Sequence, residues 1–376
     1  MPDDLDRPAE AAFGDALTMH AIIDAARARL DEDIWDYIAG AAESEMTARR
    51  NRFAIDSLAL APRVARNVSS VDPGGSLLGH RLRIPVVLCP IGACEEITAD
   101  GGLAQARAAA RFGIVPIISS VTEPSFEAVG AASEGPKVSQ LYIRGDRSWT
   151  DELIERVLAA GYDAIAVTVD SPYYGRRERQ LRSGWRPPTH RAGPEPGMEW
   201  QASITWDSLE QMHDHAGVPM IVKGIQTAHD AEIAVERGFE VVHVSNHGGR
   251  ELDQAAGTLD TLREVVEAVA GRAQIVVDGG FMRGTDVLKA IALGADAVGI
   301  GRLQAFALAA GGEAALVRVL ELLEEEIRVA MGLIGVVDLK RLDPSFVRPA
   351  QALPARSALL AAFPERASSD WPRAAR

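Results

Sequence analysis

Val241-Val242-His243-Val244-Ser245-Asn246-His247-Gly248-Gly249-Arg250-Glu251-Leu252-Asp253 joins a short apolar run to a glycine-flanked polar cluster. The run has the length of a buried strand. At its mouth stand a histidine, which can move protons near neutral pH, and three residues on an arginine, which can grip a carboxylate in a bidentate fork. The glycines let a ligand approach the main chain closely. A strand that delivers a base and an anion clamp from its C-terminal end is what an enzyme barrel requires.

Seven more apolar runs flank this one along the chain: Ile84–Cys89, Ile114–Ile118, Lys137–Ile143, Ala164–Val169, Met220–Lys223, Ile275–Asp278 and Ala297–Ile300. Between them lie segments with helical spacing, such as Thr150–Ala160, Ala228–Arg237, Leu259–Ala270 and Thr285–Leu293, closed by Gly161, Gly238, Gly271 and Gly294. Continuous apolar strands alternating with helices indicate a parallel sheet. Eight such units predict an α/β fold, a closed (β/α)8 TIM barrel. An open doubly wound sheet is the rival, but Cys89-Pro90-Ile91-Gly92 does not fit its glycine-rich fingerprint.

The expected organisation is a flexible N-terminus over 1–16, a barrel domain over 17–343, and a flexible C-terminal extension over 344–376. The barrel domain opens with helices Leu17–Leu30 and Asp33–Ala41 and ends with an amphipathic helix over Gly312–Met331. Gly184–Met198, rich in Pro and Gly, is a candidate active-site loop.

Composition narrows the function. The chain has 376 residues, 47% hydrophobic, with 39 basic against 53 acidic side chains and a net charge of −14. Such a chain repels nucleic acid and anionic membranes. No apolar run reaches the roughly 20 residues a membrane helix needs, and Met1–Gly14 lacks the apolar core of a signal peptide. A cytoplasmic enzyme acting on small molecules is expected. The two cysteines, Cys89 and Cys94, read as small buried side chains, and no metal site is expected.

The ends of the other runs carry the remaining chemistry. They place Ser119 after the second run, Gln140 and Tyr142 on the third, and Thr168 and Asp170 at the end of the fourth, with Arg176 and Arg177 following. Lys223 ends the fifth run. Asp170 is placed to orient His247, and Lys223 to oppose a developing negative charge. Asp278-Gly279-Gly280, Arg283 and Gly301-Arg302, after the last two runs, occupy the usual phosphate position of such barrels.

Together these motifs resemble the FMN-dependent 2-hydroxy acid oxidase and dehydrogenase family, which includes glycolate oxidase, lactate oxidase and mandelate dehydrogenase. The resemblance runs from about Ile34 to Leu339. It rests on Ser245-Asn246-His247-Gly248-Gly249-Arg250 with Leu252-Asp253, on Thr168-Val169-Asp170-Ser171-Pro172 with Gly175-Arg176-Arg177-Glu178, and on Tyr37 in Trp35-Asp36-Tyr37-Ile38-Ala39-Gly40. It implies oxidation of an (S)-2-hydroxy acid to the 2-keto acid, with oxygen or another acceptor reoxidising FMN, and a homo-oligomer, commonly a tetramer. His247 would be the base and Asp170 its support. Arg177 and Arg250, with Tyr37 and Tyr142, would hold the substrate. Lys223 would sit at the N1/C2 carbonyl edge of the flavin. Gly92, Ser119, Gln140, Thr168 and Ser245 would lie along the ring, and Asp278, Gly280, Arg283, Gly301 and Arg302 along the ribityl phosphate.

The chain also departs from the family pattern. Met282 stands where the family usually has an arginine that contacts FMN, Thr98-Ala99 stands where it usually has His-Pro before the acidic-glycine pair Asp100-Gly101, and Val121 replaces a frequent aromatic. The loop after the fourth run lacks the apolar insertion of membrane-docked relatives, and the N-terminal segment is too short for a haem domain. Gly92 occupies a position where oxidases often carry alanine and the decarboxylating lactate monooxygenase carries glycine, so Gly92 and Val121 together predict a wider pocket. The alternatives are lactate monooxygenase-like oxidative decarboxylation, a different FMN- or phosphate-binding barrel enzyme, and an idle FMN-binding protein.

Overall fold

A computed structural model describes residues 16–187 and 198–352. The expected flexible stretches at 1–15 and 353–376, and most of the candidate loop over 184–198, lie outside the described residues. Eight strands close a parallel barrel in chain order: β4 (Val86–Leu88), β5 (Val115–Ser119), β6 (Val138–Leu141), β7 (Ala164–Thr168), β8 (Met220–Ile225), β9 (Val241–Val244), β10 (Gln274–Val277) and β11 (Ala297–Ile300). Each falls on one of the eight apolar runs. Nearly every strand residue is buried, as expected where side chains alternate between the barrel interior and a covering helix layer.

The covering helices begin at polar caps. Asp146, Thr205 and Thr227 each accept a main-chain N–H from the first turn, satisfying donors that the helix itself leaves open. The expected helix over Gly312–Met331 is part of a longer element, α13 (Arg302–Ile334), broken at Gly311–Gly312, where φ and ψ leave the helical region. It packs on α1 (Met19–Arg29).

The barrel's N-terminal mouth is closed by the hairpin β2 (Gly75–Leu77)/β3 (His80–Leu82). Gln274 fastens it, accepting from Leu78 N at 2.8 Å and donating to Ser76 O at 3.0 Å. The C-terminal extension starts later than residue 344. Phe346 is fully buried, and β12 (Val347–Pro349) pairs antiparallel with β1 (Leu58–Leu60). An aromatic anchor and a strand pairing bind this segment to the barrel domain, which its Pro- and Arg-rich composition concealed. No helix among the described residues is long and apolar enough to cross a membrane.

Two helices precede the barrel as expected, α1 and α2 (Glu32–Ala39), but a third follows them, α3 (Met46–Asp56). It has little apolar periodicity because it is held by polar contacts. Arg52 pairs with Asp286 at 2.7 Å, and Asn51 exchanges amide hydrogen bonds with Asn246 at 2.8 and 2.9 Å. Helix α3 thereby braces two strand-end loops at the C-terminal mouth.

Candidate active site

The C-terminal ends of the strands enclose a cavity of about 1170 Å³, counting its open mouth. Its wall includes Tyr37, Gly92, Ser119, Gln140, Tyr142, Arg177, Lys223, His247, Arg250, Asp278, Gly280, Gly301 and Arg302. Asp170, Thr168 and Ser245 are buried or nearly so and are not among the wall residues.

At one end His247 directs Nδ1 at Asp170 Oδ1, 3.0 Å away. The ring is about one-fifth exposed, so Nε2 is the nitrogen left for a ligand. Its main chain lies at a positive φ of 56°, where His247 N donates to Ser245 Oγ at 3.1 Å. Burial alone would raise the Asp170 pKa. The Lys223 ammonium and His247 outweigh it and hold the carboxyl below its usual value, so Asp170 stays ionised.

Lys223 is buried between two carboxylates, 3.9 Å from Asp170 Oδ2 and 3.9 Å from Asp278 Oδ2, and donates to Ser245 Oγ at 3.1 Å. Burial pulls its pKa down, but the two aspartates more than compensate, so it remains cationic. A bulge at Gly224 makes this crowding possible. Gly224 has φ of 123°, and a Cβ there would lie 2.7 Å from Asp170 Cβ.

The arginines differ in how their charge is met. Arg177 is paired with Glu251 at 2.7 Å. Arg250 and Arg302 are not ion-paired to any carboxylate among the described residues. Arg250 donates to Tyr37 O at 2.5 Å and Gly40 O at 3.1 Å. Burial and then the neighbouring Arg177 pull its pKa down to about 9. Arg302 donates to the carbonyls of Ile38, Gly40 and Gly248 at 2.9–3.1 Å, and burial pulls it to about 10. Two buried cations without a direct ion pair are suited to meeting an anion. The Tyr37 hydroxyl donates to Gly92 O at 2.7 Å. Burial raises the pKa of Tyr37 and of Tyr142, so both phenols keep their protons.

Along the middle of the cavity Ser119 Oγ donates to Gln140 Oε1 at 2.8 Å, which leaves Gln140 Nε2 buried without a partner. Thr168 Oγ1 is likewise buried and unpartnered. At the far end the structure corrects one expectation: Arg283 is absent from the cavity wall. It begins the helix α12 (Gly284–Ala292), and its guanidinium pairs with Glu326 of α13 at 2.6 Å. Met282, buried, takes the place on the wall. Arg176, read as a surface charge, does not line the cavity. A Cβ on Gly92 would lie 3.1 Å from Val121 Cγ2, so Val121 already occupies part of the space beside Gly92.

The model of the family described as FMN-dependent dehydrogenase matches residues 26–349. The chain belongs to that family. It is 39% identical to an L-lactate oxidase of Nostoc sp. strain PCC 7120, an alignment spanning 86% of this chain and 95% of that protein. It is 35% identical to glycolate oxidase 3 of Arabidopsis thaliana, over 86% of this chain and 93% of the other. Among solved structures, mandelate oxidase with 3,3-difluoro-2-hydroxy-3-phenylpropionic acid superposes with a TM-score of 0.83 at 35% identity, covering 90% of this chain and all of that one. A soluble mutant of the membrane-associated (S)-mandelate dehydrogenase of Pseudomonas putida gives 0.83 at 30% identity, covering 89% and 100%. The family's members are FMN-dependent oxidoreductases of 2-hydroxy acids, and FMN is its cofactor.

The cavity fits that cofactor. The unpartnered Gln140 amide, on the cavity wall, is a polar group that a flavin ring can use. Lys223 supplies a buried cation, and Arg302 with the glycines after β10 and β11 supplies an anion cradle.

Several structural partners of the site were not singled out from sequence. Glu251 accepts both Arg177 and Gly175 N, at 2.7 and 2.6 Å. Asp253 accepts Ser44 N and Thr47 N at 3.0 and 2.9 Å, tying the loop after β9 to α3. Both stand inside the quoted motif, where burial of a charged residue gave no local signal. Trp185, whose ring is 5.2 Å from that of Tyr37, is the one described aromatic of the candidate loop seen to reach the site.

Proposed function

We propose that this enzyme oxidises an (S)-2-hydroxy acid to the 2-keto acid and passes the electrons to oxygen. The observation that carries the reading is the pairing of one buried, uncompensated cation, Arg250, with the proton-accepting His247–Asp170 couple at one end of a flavin-sized cavity. FMN, when bound, supplies the two-electron acceptor. Ser119, Gln140, Thr168 and Ser245 are assigned to its ring, Lys223 to its N1/C2 carbonyl edge, and Asp278, Gly280, Gly301 and Arg302 to the ribityl phosphate.

The remaining steps belong to the chain's own groups. Arg250 and Arg177 bind the substrate carboxylate, with Tyr37 and Tyr142 donating to the carboxylate and to the hydroxyl or keto oxygen. As the C–H and O–H bonds of the alcohol carbon break and C=O forms, His247 Nε2 takes up a proton. The resulting imidazolium is held through Nδ1 by Asp170, as in other acid–histidine pairs. Oxygen as acceptor is supported by the names of the relatives, which include lactate, glycolate and mandelate oxidases. The Gly92/Val121 corner is assigned to the substrate side chain. A homotetramer is the expected assembly.

His247→Ala tests the assignment. We expect flavin reduction to fall by about 10³-fold or more while FMN stays bound. Unchanged reduction rates in this variant would remove His247 as the base.

A further inference from the structure

Below the cavity floor, in the barrel interior, lies His243, which the reaction described above does not use, in a polar cluster with Asp278 and Cys89. His243 is the only ionisable residue of β9, is fully buried, and pairs in register with Lys223 of β8. Its Nε2 lies 3.1 Å from Asp278 Oδ2, and Cys89 Sγ lies 3.6 Å from the same oxygen. Gly299 on β11 makes room for them: a Cβ there would stand 2.5 Å from Cys89 Sγ and 3.5 Å from His243 Nε2. The other oxygen, Asp278 Oδ1, accepts Ser245 Oγ at 2.8 Å.

We propose that His243 is a positioning residue that sets the electron affinity of the flavin through Asp278 and Lys223. The inference rests on the assignment of Lys223 to the flavin edge. Asp278 is ionised, because Lys223, His243 and Ser245 overcome the effect of burial and hold its pKa far below normal. An ionised carboxylate only accepts, so His243 turns an N–H on Nε2 towards it. The contact is short but bent, within ion-pairing distance yet outside hydrogen-bond alignment. It therefore acts as a dipole against the carboxylate. Both Asp278 and Asp170 compete for the single ammonium of Lys223. Every part of the Asp278 charge that His243 meets frees Lys223 to stabilise negative charge on a reduced flavin. Without His243 the carboxylate draws on Lys223 alone, and reduction becomes harder.

Cys89, His243 and Asp278 also have the donor types and spacing of a metal site. The Lys223 ammonium, 3.9 Å from the same Asp278 oxygen, repels a cation there.

The test is the midpoint potential of FMN in the purified holoenzyme and its variants. His243→Leu, which removes the dipole, should lower the ratio of reduced to oxidised flavin at a fixed potential by about tenfold, which is about 30 mV for a two-electron couple. His243→Gln, whose amide can place an N–H near the Nε2 position, should restore most of that shift. If the leucine variant does not fold, His243→Asn, too short to reach Asp278, makes the same comparison. An unchanged potential in a variant that still binds FMN would overturn the proposal, as would a stoichiometric chelatable metal in the parent protein. Failure of the parent to bind FMN would instead refute the functional reading on which the proposal rests.

Discussion

The two ends of the cavity are built on different principles. At the substrate end the polar groups already hold one another: His247 by Asp170, Arg177 by Glu251, and Lys223 between Asp170 and Asp278. Only Arg250 lacks a counter-charge. At the end assigned to the phosphate, Arg302 is the single cation on the wall among the described residues, its donors turned to three carbonyls, and the apolar Met282 also lines the wall. The substrate end is therefore pre-organised to change the charge of a bound molecule. The phosphate end depends on the ligand's own charge to complete it. Chemistry at the first end should be robust to modest changes in cofactor affinity at the second.

After loss of His247 itself, Asp170→Asn should do the greatest damage, lowering the rate of flavin reduction by about 10²–10⁴-fold. The amide cannot stabilise an imidazolium, while FMN affinity changes far less. A rate within a few-fold of the parent in stopped-flow reduction would show that His247 works alone. Next in size, Arg250→Met should lower kcat/KM by about 10²-fold, the loss of a charge-assisted contact to a buried carboxylate. Oxalate should raise the Tm of the parent, because an anion beside Arg250 relieves the cost of burying its charge, and the variant should lose that rise. An equal rise in both proteins would place the carboxylate elsewhere.

Asp253 joins the substrate-end loop to α3, and its hydrogen bonds from Ser44 and Thr47 outweigh burial and hold its pKa at about 2. A carboxyl lowered on folding contributes stability above its unfolded pKa of about 3.9, and loses it as pH falls through the folded value. Asp253→Asn should thus cost about 1–2 kcal/mol in urea unfolding at pH 7, and the gap should narrow between about pH 4 and pH 2. A gap independent of pH would assign the effect to packing. The smallest change expected is at the other end. Met282→Arg adds a cation to the wall and should tighten FMN binding by about tenfold, with kcat unaltered. Weaker binding would show that Met282 packs against the cofactor.

The same contrast explains what the sequence revealed. The barrel was legible because most of its eight strands are predominantly apolar runs, and glycines follow several of the covering helices. The reacting groups were legible because His247, Arg250, Asp170 and Lys223 are polar residues at the ends of such runs. Helix α3 was missed because Thr47, Asn51 and Arg52 bury polar atoms rather than an apolar stripe. Arg283 was misplaced because sequence adjacency to Gly280 does not say which way a helix-start side chain turns, and Glu326, which claims it, lies far along the chain. His243 was hidden inside a strand that reads as apolar, since its partners Asp278 and Cys89 come from other strands.

The most direct measurement is an anaerobic titration of the FMN-loaded protein with a panel of (S)-2-hydroxy acids, followed by flavin absorbance, with air admitted afterwards. We expect one or more of them to bleach the flavin in a single turnover, and oxygen to restore the oxidised spectrum with formation of hydrogen peroxide. A bound flavin that no 2-hydroxy acid reduces would contradict the assignment of His247, Arg250 and Arg177 to this chemistry.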